Sequence, residues 1–371
     1  MPENDDPKDD LPDDASPKET PGLSRRRILK ALAAGGGVAA GTALLPERWV
    51  KPIVEYGTLP LHAHVSPTGP YAYITNWNSG NVSVIDTATN TVVATVGLGT
   101  WPFGVAVNSA GTRVYVADHV AVGVVKVIDA TMTPPAVVAT VGVGNGPSGV
   151  AVDSAGSRVY VNNQWADTVS IIRTSDNTVV ATVNVGVFPS GVAVNPAGDR
   201  VYVANQTSNT VSAIDVTTIP PTVVATVGVG TGPYGIAVNP AGDRVYVANW
   251  QSNNVSVIDA TAIPPTVVAT VAVGISPEGV AVNPAGTLVY VTNQFNGTVS
   301  VIRTSDNTVI ATVSVGNTPK GIAVNPAGTR VYVANNGSNN VSVIDAIATP
   351  PNVIATVGVG ANPFAIGKFI G

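Results

Sequence analysis

Cysteine is absent from all 371 residues, which excludes disulfides, thiolate metal sites and cysteine nucleophiles. Histidine is almost as scarce, occurring only at His62, His64 and His119. No metal and no cofactor is therefore expected. Charged residues make up 11% of the chain and the formal net charge is −5. That balance argues against a surface built to neutralise phosphates, so nucleic acid is not an expected partner. No Asp-rich calcium loop, Gly-rich phosphate loop or HExxH helix is present. Long apolar runs are missing too. The best candidate, Ala31 to Leu45, is short and is interrupted by Gly35-Gly36-Gly37, so no membrane span is expected beyond an uncleaved signal.

Residues 1–23 are acidic, rich in proline and nearly free of apolar side chains. Such a segment buries too little surface to offset its ordering entropy and is expected to be disordered. Residues 24–63 open with Ser24-Arg25-Arg26-Arg27-Ile28-Leu29-Lys30, ahead of the Ala/Gly-rich stretch. This resembles a twin-arginine export signal with Arg25 and Arg26 as the pair, cleaved after Ala63, after Ala43 or not at all. The resemblance implies export in the folded state to the periplasm or the cell surface.

From residue 64 to 371 the chain repeats one phrase. A tyrosine-centred strand recurs at Tyr73, Tyr115, Tyr160, Tyr202, Tyr246, Tyr290 and Tyr332, at intervals of 42, 45, 42, 44, 44 and 42 residues. Those periods suit a four-stranded propeller blade. In the fourth repeat the strands are expected at 191–195 (A), 200–205 (B), 210–215 (C) and 223–229 (D). Pro-Ala-Gly-Asp joins A to B, and a Ser/Asn/Thr turn joins B to C. The runs are rich in Val, Ile, Thr and Tyr, which fit a pleated surface packed on both faces. Strand D is apolar and carries no lysine to blunt its edge, so it reads either as a short twisted edge or as a site for strand pairing.

The first repeat lacks strand A, while Pro363-Phe364-Ala365-Ile366-Gly367-Lys368-Phe369 aligns with the strand A phrase Pro319-Lys320-Gly321-Ile322-Ala323-Val324. The expected fold is thus an all-β, seven-bladed β-propeller with four-stranded antiparallel blades, closed by the C-terminal strand completing blade 1. A monomer is expected. The phrases YVAN, NTVSVID, TVVATVGVG and PSGVAVNPAGDR resemble the YVTN-type β-propeller repeat family, which implies a surface-layer or secreted protein.

Most charges have a structural reading. Strands B and C are antiparallel, so Arg113/Asp129, Arg200/Asp215, Arg244/Asp259 and Arg330/Asp345 fall opposite one another as ion pairs. Arg173 and Arg303 each precede an acid, Asp176 and Asp306, by three residues, and Leu288 replaces the arginine facing Arg303. Arg158 faces Arg173 with no partner evident. His119 sits in the B–C loop of blade 2 with no nucleophile elbow nearby and reads as a solvated loop histidine. No catalytic residue is assigned.

The aromatics outside the seven repeat tyrosines gather in two loop classes. Trp77, Trp165, Trp250 and Phe295 occupy B–C loops, while Trp101, Phe103, Phe188, Tyr234 and Phe364 occupy D–A loops. In an antiparallel blade both classes emerge on one face. Such a face suits flat, partly apolar ligands, although the rings would equally seal blade tops against water. The residue after the D–A proline varies as Phe103, Ser148, Ser190, Tyr234, Glu278, Lys320 and Phe364, near the channel mouth. The expected function is a non-catalytic binding or scaffold protein presenting this face to a glycan, peptide or protein. One alternative is a hydrolase or lyase acting on a small sugar or lactone at the mouth, which requires Glu278, Lys320 or His119 to converge there. The other is single-stranded DNA binding.

Overall fold

The computed structural model describes residues 70–371, so the expectations for residues 1–63, including the Arg25-Arg26 signal, lie outside the described residues. Twenty-seven strands build seven antiparallel sheets, and no helix occurs among the described residues. Six sheets have four strands in the order A-B-C-D, and the first has strands B to D. The fold is a seven-bladed β-propeller.

Blade 4 shows the pattern, with A at Pro189–Val194, B at Arg200–Asn205, C at Thr210–Asp215 and D at Thr222–Gly228. Strand A starts two residues earlier than turn chemistry suggests, because a bulge carries the pairing back to the proline. Pro189 faces Asn205 and Val192 faces Val203, which leaves Ser190 and Gly191 opposite the single residue Ala204. Strands A of blades 2, 3, 5, 6 and 7 shift register at the same place.

The core lies between blades. Tyr160 of blade 3 packs with Val201, Val203 and Ile214 of blade 4, and the other repeat tyrosines are buried in the same way. Around the inner ring, a Cβ on Gly235 would lie 2.1 Å from the Glu278 carbonyl oxygen, and one on Gly279 would lie 2.3 Å from that of Lys320. Only a residue without a side chain lets neighbouring inner strands approach so closely. The inner strands surround a channel of about 510 Å³, walled by Val, Ile, Ala and Gly.

The C-terminal segment closes the ring, though not as a regular strand. Asn76 pairs with Pro363 and Ala72 with Ile370 through isolated bridges, while the Phe364 amide donates to the Thr75 carbonyl at 2.8 Å. Ala365 and Gly367 adopt positive φ, which breaks the ladder between those two contacts.

All four B–C ion pairs form, at 2.7 Å (Arg113–Asp129), 2.8 Å (Arg200–Asp215), 3.1 Å (Arg244–Asp259) and 2.8 Å (Arg330–Asp345). Exposed to solvent screening as they are, these pairs contribute little to stability. The like-charge pairing in blade 3 also resolves. Arg173 turns outward to Asp176, and Arg158 donates to the Val216 carbonyl of the next blade at 2.9 Å.

Candidate active site on the loop face

The B–C and D–A loops share one face and are laced together. The Trp77 amide donates to the Asn362 carbonyl, His119 to Trp101, Gln164 to Gly146 and Trp250 to Gly232, at 2.8–3.0 Å. Six of the seven variable residues after the D–A proline are the first residue of the strand A bulge, and a bulge re-aims the side chain it carries. Several of these side chains reach across to a neighbouring blade. The Ser148 hydroxyl donates to the Pro189 carbonyl at 3.1 Å, and Ser190 donates to Pro233 at 3.1 Å.

From Glu278 onward this ring carries charge. Lys320 Nζ lies 2.8 Å from Glu278 Oε2, and it also sits 4.9 Å above the centre of the Phe364 ring. Glu278 is only 1% exposed, and among the described residues no donor other than that ammonium reaches either carboxylate oxygen. Burial pushes its carboxyl above the ordinary value, opposed by the charge of Lys320. Tyr234, half-buried on the preceding blade, has its hydroxyl pKa raised well above the usual range, first by burial and then by the negative charge of Glu278.

Phe364 leads into an aromatic cluster. Its ring centre is 4.0 Å from that of Phe103, which stacks on His119 at 5.1 Å. His119 also meets Trp77 at 5.5 Å and the edge of Trp165 at 4.7 Å. Trp77 and Trp101 lie nearly parallel, 6.0 Å apart.

The expectation of a solvated loop histidine is wrong, since His119 is 8% exposed. Its Nδ1 lies 3.1 Å from the Pro147 carbonyl oxygen. Because a carbonyl only accepts, Nδ1 carries the proton in the neutral ring and Nε2 keeps a lone pair. Burial lowers the pKa of His119, against the opposing effects of the Pro147 carbonyl, the charge of Asp118 and the Gly146 carbonyl. The preceding residue explains this local arrangement. Where other blades place a buried asparagine that bonds strand C, as Asn205 bonds Ser212 at 3.0 Å, blade 2 has Asp118. Asp118 instead accepts from the Trp101 amide at 3.0 Å and from the Thr100 hydroxyl, drawing the D–A loop over His119.

Of the nine expected ligand-binding aromatics, Trp77, Trp101, Phe103, Trp165 and Phe364 come together around His119. Tyr234 joins the charged end of the ring. Phe188, Trp250 and Phe295 make no ring contact with the cluster among the described residues. Trp250 instead donates from Nε1 to Gln294 Oε1 at 2.9 Å, clamping blade 5 to blade 6. Glu278, Lys320 and His119 share the loop face, with Glu278 and Lys320 in contact and His119 linked to them through two phenyl rings.

A neutral histidine with a free nitrogen, an ammonium anchored by a buried carboxylate and a flat apolar wall can activate water beside a carbonyl compound. The sequence model of the lactonase family, described as a lactonase with a seven-bladed β-propeller, matches residues 54–219 and 218–349. A search of curated proteins finds no match. Among solved structures, a functionally unknown protein from Desulfotomaculum acetoxidans DSM 771 superposes with a TM-score of 0.70 at 17% identity, covering 80% of this chain and 99% of that one. A candidate 6-phosphogluconolactonase from Bacteroides uniformis gives 0.68 at 14% identity, covering 79% and 98%. Hydrazine synthase from Kuenenia stuttgartiensis gives 0.65 at 21% identity, covering 78% and 99%. At these identities the three structures show a common fold. The family match overturns the expectation of a non-catalytic binding or scaffold protein. That expectation rested on finding no catalytic constellation in the sequence, whereas Glu278 and Lys320 come from separate blades and meet only in the closed ring.

Proposed function

The chain belongs to the lactonase family of seven-bladed β-propellers, and on that footing we propose that it hydrolyses a lactone on its loop face. The observation that carries this reading is His119, whose Nδ1 faces the Pro147 carbonyl and so leaves Nε2 as the unprotonated nitrogen of the neutral ring, within an aromatic cluster. In the proposed reaction Nε2 takes a proton from water as the water oxygen bonds to the lactone carbonyl carbon. The resulting tetrahedral intermediate then collapses, breaking the ring C–O bond. The histidine returns its proton to the leaving alkoxide, and the product is a hydroxy acid. Lys320, anchored by Glu278, lies two phenyl rings away from His119 and adds positive charge to the same face. The aromatic side chains bind the body of the substrate.

The test is a pH-stat assay of the full chain against unsubstituted and substituted γ- and δ-lactones. Hydrolysis by the wild type with a loss of about 10²–10⁴-fold in His119→Gln supports the reading. Absence of turnover, or an unimpaired variant, overturns it.

We also propose that the repeat is of the YVTN type and that the protein is exported by a twin-arginine route to the periplasm or cell surface. The repeated phrases support the first point, and Arg25-Arg26 ahead of Ala31 to Leu45 support the second. Retention of an Arg25→Lys, Arg26→Lys variant in the cytoplasm, with export of the wild type, is the expected outcome.

A further inference from the structure

We propose that the lactone taken by this site is electrically neutral and carries an aromatic ring, rather than a phosphate. This deepens the lactonase reading and rests on it. The indoles of Trp77 and Trp165 contact the imidazole at centroid distances of 5.5 and 4.7 Å, so any group brought to His119 lies against them. Trp77 and Trp101, parallel within 7°, extend the wall, and Trp101 is 54% exposed, so a flat apolar surface faces outward beside the histidine. A fused or attached aryl group buries against these rings with favourable stacking geometry.

Charge excludes the alternative occupant. Recognition of a phosphate relies on arginine forks or unpaired ammonium groups. Every propeller arginine starts a strand B or ends a strand C, at the opposite end of the blades, and all seven are tied there to an acid or, for Arg158, to a backbone carbonyl. Among the described residues the loop face offers Lys320 alone, already in contact with Glu278. Asp118 and Asp167 add two further carboxylates to that face. Three carboxylates against one ammonium repel a dianion.

The experiment measures both turnover and binding in the full chain. Turnover is compared between dihydrocoumarin, δ-valerolactone and 6-phosphogluconolactone. Binding is followed by tryptophan fluorescence with two hydrolysis-resistant lactams, 3,4-dihydroquinolin-2-one and 2-piperidone, and with 6-phosphogluconate. The fused-ring lactam is expected to bind about tenfold or more tightly than 2-piperidone, and Trp77→Ala or the more exposed Trp165→Ala is expected to erase that advantage. Equal affinity for the two lactams, or tighter binding of 6-phosphogluconate, overturns the inference. Absence of lactone turnover alongside the lactam preference would overturn the hydrolase reading while leaving the ligand class standing.

Discussion

Glu278 and Lys320 meet across the joint between blades 6 and 7, with 2.8 Å between carboxylate and ammonium and the carboxylate almost wholly out of water. Their partnership joins two inner strands whose backbones already touch through Gly279.

Removing one partner strands the other. Glu278→Ala is expected to destabilise the fold by about 3–5 kcal/mol, because Lys320 then loses its only carboxylate in a largely dry setting. Replacing both residues by methionine is expected to restore stability to within about 1 kcal/mol of wild type. Urea unfolding of the two variants separates these outcomes.

The buried carboxylate also sets a pH dependence. Its folded-state pKa is raised, so the unfolded chain releases this proton first as pH rises. The associated stability is complete below the ordinary glutamate value of 4.5 and is lost as pH climbs through the raised value. Wild type should therefore lose stability relative to Glu278→Gln as pH increases above about 4.5. Melting curves taken at successive pH values give the comparison.

His119 behaves with the opposite sign. Its folded-state pKa is lowered from 6.5, so it remains the neutral base to lower pH than a free histidine. The acid limb of lactone hydrolysis should therefore lie at lower pH than a free histidine would set. Stability contributed by the neutral ring should fade over the same acidic interval, as the unfolded chain gains the proton first. A kcat/KM profile of wild type beside the residual activity of His119→Gln tests the assignment.

Gly235→Ala introduces a methyl group 2.1 Å from the Glu278 carbonyl oxygen, a separation no real Cβ tolerates. The inner strands of blades 5 and 6 must then part, at an expected cost of about 1–3 kcal/mol. Because the same shift moves Glu278, a drop in Tm should come with weaker lactone hydrolysis. Gly228→Ala, where a Cβ meets nothing within 4 Å, should leave both unchanged.

The blades were legible because every repeat restates the same constraints. Tyrosine spacing marks the seven sheets, and the antiparallel register of strands B and C places Arg200 opposite Asp215. The site was only half legible. Variation after the D–A proline singled out Tyr234, Glu278, Lys320, Phe364 and Phe103, but their contacts across blades depend on the bulge that re-aims the side chains. His119 was misjudged because its cover comes from elsewhere. Trp77 lies more than forty residues earlier in the chain and Trp165 more than forty later, and only closure of the disc brings both indoles onto the imidazole. Asp118 in place of the repeat asparagine was the visible signal, and its meaning is the altered D–A loop it holds. Arg158 was opaque for a similar reason, since its acceptor is a backbone oxygen of blade 4 that no residue pattern advertises.

The hydrogen bond from the Ala365 amide to the Thr75 hydroxyl spans 290 positions along the polypeptide. Blade 1 is therefore first to emerge during synthesis and last to be finished, its inner side vacant until the end of the domain arrives. Contacts of such long sequence separation carry a large loop-closure cost before they return any stability, so formation of the complete disc is slowed by that one late docking step. The assembled aromatic box depends on it as well, since Phe364 belongs to the segment that docks.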